Sequence, residues 1–139
     1  MFLTYLYVAL GGALGTVARF GVGDLVVRFS GIPAETFPWG TLIINVTGSF
    51  IIGFFSALTS PAEGRLVVGS NGRQFFMTGI CGGYTTFSSF SLQTLNLARG
   101  GEWLRAGGNI VGSVTLCLVA VWLGYGLATA INLKKGSSL

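Results

Sequence analysis

The sequence predicts an all-α integral membrane protein with four transmembrane helices, and its composition and its long uncharged windows carry that prediction. Of the 139 residues, 51% are hydrophobic and only 9% are charged, with a mean hydropathy of +0.73. A soluble domain of this size cannot hide so much apolar surface. The 23 glycines fit the same class, because small residues let helices approach closely in lipid.

Long uncharged windows place the spans. A helix needs about 20 mostly apolar residues to cross the hydrocarbon core of a bilayer. Four windows of this kind, the first of them interrupted by Arg19, place spans at about residues 3–28, 38–60, 73–98 and 105–132, joined by short polar connections. The first window lacks a basic leading segment and a convincing cleavage site, so we expect a retained helix within a single transmembrane domain, residues 1–139.

Residue types exclude several functional classes. The chain has no histidine, which excludes imidazole-based catalysis, and we expect no enzyme activity. Cys81 and Cys117 lie in apolar runs, which favours small buried residues over a disulfide or a metal pair. The basic residues are scattered singly apart from a terminal lysine pair, so a nucleic-acid groove is not supported.

The charges of the connections leave the membrane orientation open. Arginines and lysines are nearly balanced between the two sides of the membrane. One side has Arg65, Arg73, Lys134 and Lys135, and the other has Arg28, Arg99 and Arg105, with Arg19 in the first span near it. Because the positive-inside rule counts these residues, it favours neither side. One orientation set by a weak bias and insertion in both orientations remain alternatives.

The third span is a poor continuous helix. The paired glycines Gly82 and Gly83 free the backbone to leave the helix, and β-branched or aromatic residues and a Ser/Thr run follow them, which predicts a break near mid-membrane. Backbone carbonyls freed at that depth must be buried in protein, line a wet cavity or bind a cation. The alternative is a kinked helix whose hydroxyls bond back to the helical ladder.

Residues after the predicted break share one helical face. Phe87 and Phe90 are three positions apart, and Ser91 and Thr94 extend their face. Phenylalanines in a membrane helix usually pack or face lipid. An aromatic ring edge is electropositive, however, so this pair and its neighbouring hydroxyls can surround an anion.

Other spans carry polar residues that need partners. Asn45 lies near a stripe of hydroxyl residues in the second span, Thr41, Ser49 and Ser56. An unpaired amide in hydrocarbon is unfavourable, so Asn45 either joins helices or lines a pathway. Arg19 either snorkels to the interface or lines an aqueous vestibule.

The first and fourth spans add small and polar faces. Gly11 and Gly15 give the first span a close-packing face, and the fourth span has a face that combines Gly108, Asn109, Gly112, Ser113 and Cys117. The intramembrane polar groups are hydroxyls, amides and one guanidinium, nearly all of them donors, with no carboxylate central in any span. Such a pathway suits an anion.

Three stretches together resemble the Fluc (CrcB-type) fluoride channels. They are Gly-Gly-x-Thr-Thr-Phe-Ser-Ser-Phe-Ser at 82–91, Gly-Thr-Leu-Ile-Ile-Asn at 40–45 and the glycine-rich first span ending in Arg19. The resemblance implies an antiparallel homodimer of dual topology, with two separate pores, in the plasma membrane, or the inner membrane of a Gram-negative host. It also implies passive export of fluoride from the cytoplasm, which protects against fluoride toxicity.

The resemblance further implies roles for individual residues. Phe87, Phe90, Asn45 and Ser113 are expected along the pore, with Ser91 and Thr94 extending it and Arg19 near the vestibule. A structural sodium ion at the dimer centre is expected on the backbone carbonyls of Gly82 and Thr85. Two departures affect the polar track: Gln93 stands where several relatives have glutamate, and Asn109 where serine is familiar.

Two other classes compete with a channel. A proton-coupled multidrug exporter needs a titratable group within the membrane, and Asp24, the nearest acid, lies toward a span end. A non-transporting scaffold explains the glycine faces but leaves Asn45 and the Ser/Thr run without a reason.

Overall fold

The computed structural model describes residues 1–31, 36–62 and 64–136, with side chains through residue 133. Its regular structure is entirely helical within those ranges. The elements in chain order are α1 (Phe2–Ser30), α2 (Trp39–Leu58), α3 (Ser70–Arg73), a π-helical segment (Gln74–Cys81), α4 (Gly82–Tyr84), α5 (Phe87–Arg99) and α6 (Trp103–Gly136). The side chains of Lys134 and Lys135, which enter the charge count above, lie outside the described residues.

Three helices of the described ranges, α1, α2 and α6, are long and apolar enough to cross a membrane. The remaining predicted span is divided. α3, the π-helical segment and α4 follow one another directly and form the first half of a broken helix, and α5 forms its second half. Thr85 and Thr86 lie between the two halves and are called the break.

The break lies after the paired glycines and not at them, which corrects the predicted cause. Gly82 has helical angles, φ −65° and ψ −38°. Thr85 (φ −80°, ψ 159°) and Thr86 (φ −153°, ψ 114°) are extended. Two successive β-branched residues favour extended backbone, so the threonines end the helix. A continuous kinked helix is excluded.

Glycines bring α1 against the first half of the broken helix. Gly11 and Gly15 are the buried residues of α1, which confirms the predicted close-packing face. A Cβ on Gly15 would overlap the Ile80 carbonyl oxygen, and one on Gly83 would overlap that of Gly12. The paired glycines of the sequence motif therefore include one that permits helix contact and does not bend the chain.

A second glycine contact joins α2 to α6. A Cβ on Gly53 would overlap the Val121 carbonyl oxygen, and one on Gly124 would overlap the Phe50 carbonyl oxygen. Gly108 and Gly112 of the predicted small, polar face have nothing within 4 Å of an added Cβ. Close packing of α6 on α2 is therefore concentrated around Gly124.

Polar side chains tie the connection after α2 to its helix end. Asn132 of α6 donates from Nδ2 to the Ala57 carbonyl (3.0 Å) and accepts from the Arg65 N–H (3.0 Å). The Arg73 guanidinium donates to the carbonyl and the hydroxyl of Thr59. The last carbonyls of a helix lack intrahelical donors, so these groups satisfy the end of α2.

Candidate functional site

Asn45 pairs with the backbone of the break. Its Oδ1 accepts from the Thr86 N–H at 2.8 Å, and its Nδ2 donates to the Thr86 carbonyl at 3.1 Å. Both bonds use groups that a continuous helix would satisfy internally, and Thr86 is only 8% exposed. The amide therefore replaces the missing helical partners on both sides of one residue.

Thr86 also begins the second half of the broken helix. Its Oγ1 accepts from the Ser89 N–H (3.2 Å) and donates to the Ser89 hydroxyl (3.1 Å). Threonine is a favoured N-cap because its side-chain oxygen satisfies an orphan N–H of the first turn. Sequence reasoning missed this role, although a threonine three positions before Ser89 is the cap spacing.

Two further contacts hold the break from either side. Arg19 Nη1 of α1 lies 3.4 Å from the Thr85 carbonyl oxygen. The Tyr84 hydroxyl, immediately before the break, hydrogen bonds to Thr47 Oγ1 of α2 at 2.9 Å. Nothing in the spacing of Thr47 and Tyr84 pointed to this pair, since their contact depends on how α2 crosses the broken helix.

A cavity of about 390 Å³ lies beside the break. It is bounded by α2, the two halves of the broken helix and α6. Six of the nine residues predicted for the pore or the sodium ion line it: Asn45, Gly82, Thr85, Phe87, Phe90 and Ser113. Among the described residues, its lining contains no carboxylate and no basic side chain. The cavity is therefore a mostly apolar space with a few polar groups from α2, the break and α6.

Phe87 and Phe90 form an aromatic pair at this cavity. Their ring centroids are 5.2 Å apart, with the planes tilted by 51°, so they share a helix face as predicted. Phe90 is buried at 8% exposure, whereas Phe87 is 77% exposed. One ring is thus fixed by packing within the subunit, and the other projects from it.

A buried polar chain links α6 to α5. Ser113 Oγ donates to Asn109 Oδ1 (3.3 Å), and Asn109 Nδ2 donates to Thr94 Oγ1 (2.8 Å). Thr94 Oγ1 in turn donates to the Phe90 carbonyl at 2.7 Å. Asn109 is 1% exposed. The chain therefore fixes α5, and the Phe90 backbone with it, relative to α6.

Three predicted site residues lie outside the cavity. Ser91 is exposed and donates to the Phe87 carbonyl at 2.9 Å, and Thr94 belongs to the buried chain. Arg19 lines a separate cavity of about 270 Å³ between α1, α2 and α5. Gln93 lines the same space, and its Oε1 is buried without a hydrogen-bond partner among the described residues. Arg19 reaches the site only through the Thr85 carbonyl.

The donor set at Gly82 and Thr85 fits a cation held by backbone oxygens. Gly82 is exposed, and no described N–H donates to its carbonyl, because the Thr86 N–H goes to Asn45. The Thr85 carbonyl accepts only the long contact from Arg19. Neutral carbonyl oxygens at helix breaks suit sodium. The described residues contain no metal-ligating cluster of histidine, cysteine, aspartate or glutamate.

Comparison with known proteins gives a consistent result. The family model described as "CrcB-like protein, Camphor Resistance (CrcB)" matches residues 6–125. A protein of Opitutus terrae is 66% identical over 133 residues, covering 96% of this chain and 98% of its own length. A protein of Methylocella silvestris is 59% identical over 135 residues, covering 97% and 100%.

A third relative, from Paramagnetospirillum magneticum, is 59% identical over 130 residues, covering 94% of this chain and 98% of its own length. All three relatives carry the name "Fluoride-specific ion channel FluC". The family match includes every residue that lines the cavity. This chain is therefore a membrane protein of the CrcB-like family.

Proposed function

We propose that this protein is a fluoride channel that exports fluoride passively across the plasma membrane and so protects the cell from fluoride. The observation that carries the proposal is the cavity beside the break, where the Asn45 amide and the rings of Phe87 and Phe90 meet. The names of the relatives support the same ion. An ion channel is not an enzyme, and this role needs no catalytic group.

The chemistry of the cavity suits a small anion. Fluoride is strongly hydrated, so a pore must replace its water with closely spaced donors. Asn45 supplies an amide N–H beyond the one bonded to Thr86, and the aromatic ring edges supply positive potential. A negative cytosol drives the anion outward with about 2.3 kcal/mol per charge per 100 mV.

Proton-coupled export is less well supported. An exchanger needs a group that titrates in the pathway, and the cavity lining contains no carboxylate. Asp24 is more than half exposed and pairs with Arg28 at 3.6 Å, near the end of α1. A passive pathway agrees better with these positions.

Fluoride efflux from liposomes containing the purified protein tests the function. We expect rapid fluoride release under a potassium-diffusion potential and little chloride release. Phe87→Ile and Phe90→Ile keep apolar bulk but remove the ring edge, so each should lower flux strongly. Phe2→Ile, at a ring that is 83% exposed at the start of α1, is the matched control. No release from wild-type liposomes would refute the channel.

An antiparallel homodimer is part of the proposal. Support comes from the exposed Phe87 ring and the exposed Gly82 carbonyl at the cavity, which a second copy would cover. The near-balanced basic residues allow both orientations. Several lysines added at the C-terminus should fix one orientation and abolish fluoride resistance, and co-expression with an oppositely biased version should restore it. Full resistance from the single biased version would argue against opposite insertion.

A structural sodium ion completes the proposal. The carbonyls of Gly82 and Thr85, from both subunits, would hold it. The ion would give a partner to the Gly82 oxygen, which has no described donor, and to the Thr85 oxygen, which has the long contact from Arg19. A bulky residue at Gly82 should weaken sodium binding more than Thr85→Ala, because the ligands are backbone atoms. Sodium content of the purified protein, measured by atomic emission after exchange into a large organic cation, tests this. Complete loss of sodium with unchanged dimer stability and flux would exclude a structural role.

A further inference from the structure

The hydroxyl hydrogens around the cavity are mostly committed within the subunit. Thr85 Oγ1 donates to the Cys81 carbonyl (2.9 Å), and Ser113 Oγ donates to Asn109 Oδ1 (3.3 Å). Thr86 Oγ1 donates to the Ser89 hydroxyl at 3.1 Å. A hydroxyl has a single hydrogen, so these side chains have only lone pairs left for a ligand in the cavity. Lone pairs repel an anion, and being polar does not make these three residues donors to it.

Ser49 is the exception among the hydroxyl residues that line the cavity. It lies on α2, and its Oγ has no hydrogen-bond partner among the described residues. It is also not sealed from the cavity, since it is absent from the buried atoms without a partner. Its hydrogen is therefore uncommitted.

This arrangement is unusual for a hydroxyl residue within a helix. Such hydroxyls commonly bond back to a carbonyl one turn earlier, as Thr47, Ser91 and Thr94 do here at 2.7 to 2.9 Å. Ser49 makes no such bond to Asn45. The Ser49 hydroxyl can therefore donate its hydrogen to a ligand in the cavity.

Ser49 follows Asn45 by one helical turn, so the two lie on one face of α2. The Asn45 amide carries two hydrogens, and one of them is bonded to the Thr86 carbonyl. Both residues line the same cavity. Together they offer two neighbouring uncommitted donors to whatever occupies it.

We propose that Ser49 binds the permeating anion through its hydroxyl, as the second donor beside the Asn45 amide. The proposal rests on the fluoride-channel function and assigns the donor that the committed hydroxyls of Thr85, Thr86 and Ser113 do not supply. It also assigns α2 the donor side of the cavity, opposite the aromatic pair on α5.

Ser49→Ala tests the proposal, with Ser49→Thr retaining a hydroxyl. Ser56→Ala is the matched control, because Ser56 is a serine of the same helix that has no hydrogen-bond partner in the described part of the chain and does not line the cavity. We expect Ser49→Ala to lower fluoride flux in liposomes about tenfold, as for the loss of about 1.4 kcal/mol of anion binding. Ser49→Thr and Ser56→Ala should stay close to wild type.

Fluoride binding, measured as fluorine NMR line broadening with purified protein, gives a readout independent of conduction. Ser49→Ala should weaken binding about tenfold as well. If wild type binds fluoride but does not conduct it, the channel function fails while the binding comparison still decides the role of Ser49. Flux and binding of Ser49→Ala equal to wild type would overturn the inference, as would a wild type that binds no fluoride.

Discussion

Two asparagines in this protein make the same pattern of hydrogen bonds in different surroundings. Asn45 accepts from one backbone N–H and donates to one carbonyl, both of Thr86. Asn132 does the same with the Arg65 N–H and the Ala57 carbonyl. Each side-chain amide gives partners to backbone groups at or near a helix end, although the Ala57 carbonyl also accepts from the Ser60 N–H.

The surroundings of the two amides differ in access to water. Thr86 is 8% exposed and lies within the broken helix, whereas Arg65 is exposed in the connection after α2. Water can replace Asn132 at Arg65, but hydrocarbon cannot replace Asn45 at Thr86. The same bonds should therefore contribute more stability at the break than at the connection.

Asn45→Ala should have the largest effect of the changes considered. It leaves both the N–H and the carbonyl of Thr86 without partners, and each buried unpaired group costs about 1–3 kcal/mol. We expect the free energy of unfolding to fall by about 3 kcal/mol, together with loss of fluoride flux. Reversible unfolding in mixed detergent micelles measures the first effect.

The control is Asn96→Ala, because Asn96 is an exposed asparagine of α5 whose side chain has no hydrogen bond to the described residues. It should leave stability nearly unchanged. An equal effect of both variants would show that the pairing with Thr86 contributes little.

Asn132→Ala should have a smaller effect than Asn45→Ala. Its loss removes one of the two donors to the buried Ala57 carbonyl, which keeps the Ser60 N–H at 3.3 Å, and the Arg65 N–H can bond to water. We expect a loss of about 1–1.5 kcal/mol in unfolding free energy, the upper range for a typical intramolecular hydrogen bond. A loss as large as that of Asn45→Ala, measured by the same unfolding assay, would show that the two asparagines contribute equally to stability.

Thr86→Ala tests how much the N-cap of α5 contributes to stability at the break. The substitution keeps both backbone bonds to Asn45 but removes the N-cap oxygen that accepts from Ser89. We expect a loss of about 1 kcal/mol in unfolding free energy. Thr86→Ser retains the oxygen and should recover most of that loss, and failure to do so would assign the effect to the threonine methyl.

The Thr47–Tyr84 pair should contribute least. Hydrogen bonds between helices in a membrane average about 0.6 kcal/mol in double-mutant cycles. Thr47 is exposed and its hydroxyl also donates to the Ile43 carbonyl at 2.7 Å. The cycle of Thr47→Val and Tyr84→Phe should give a coupling of that size. A coupling energy larger than the loss of unfolding free energy in Asn132→Ala would contradict this ranking of the two sites.

The sequence predicted the helical class and the existence of the break, because apolar windows and local propensity encode both. The prediction attributed the break to the paired glycines, because a glycine backbone is flexible. Gly83, however, is fixed by its contact with Gly12. That contact belongs to a distant helix and is invisible in local sequence. The threonines were informative, but their β-branching received less weight than the glycines.

The site was predicted in part, for a related reason. Spacing on one helix placed Phe87 with Phe90, and their rings do meet. Spacing did not reveal that Thr94 faces Asn109 of α6 or that Arg19 lies in a separate cavity. The partner of each hydroxyl hydrogen was also beyond the sequence: the hydroxyls of Thr85, Thr86 and Ser113, grouped as donors, donate to groups within the subunit.

The contact between α1 and the first half of the broken helix has a consequence for evolution. Backbone meets backbone at Gly11, Gly15 and Gly83, so no single nucleotide change at these codons yields a side chain that fits. Gly21 of the same helix has nothing within 4 Å of an added Cβ. Variation along α1 should therefore be permitted on one face and forbidden on the other. The chain can diverge toward lipid while the surface between these helices stays fixed.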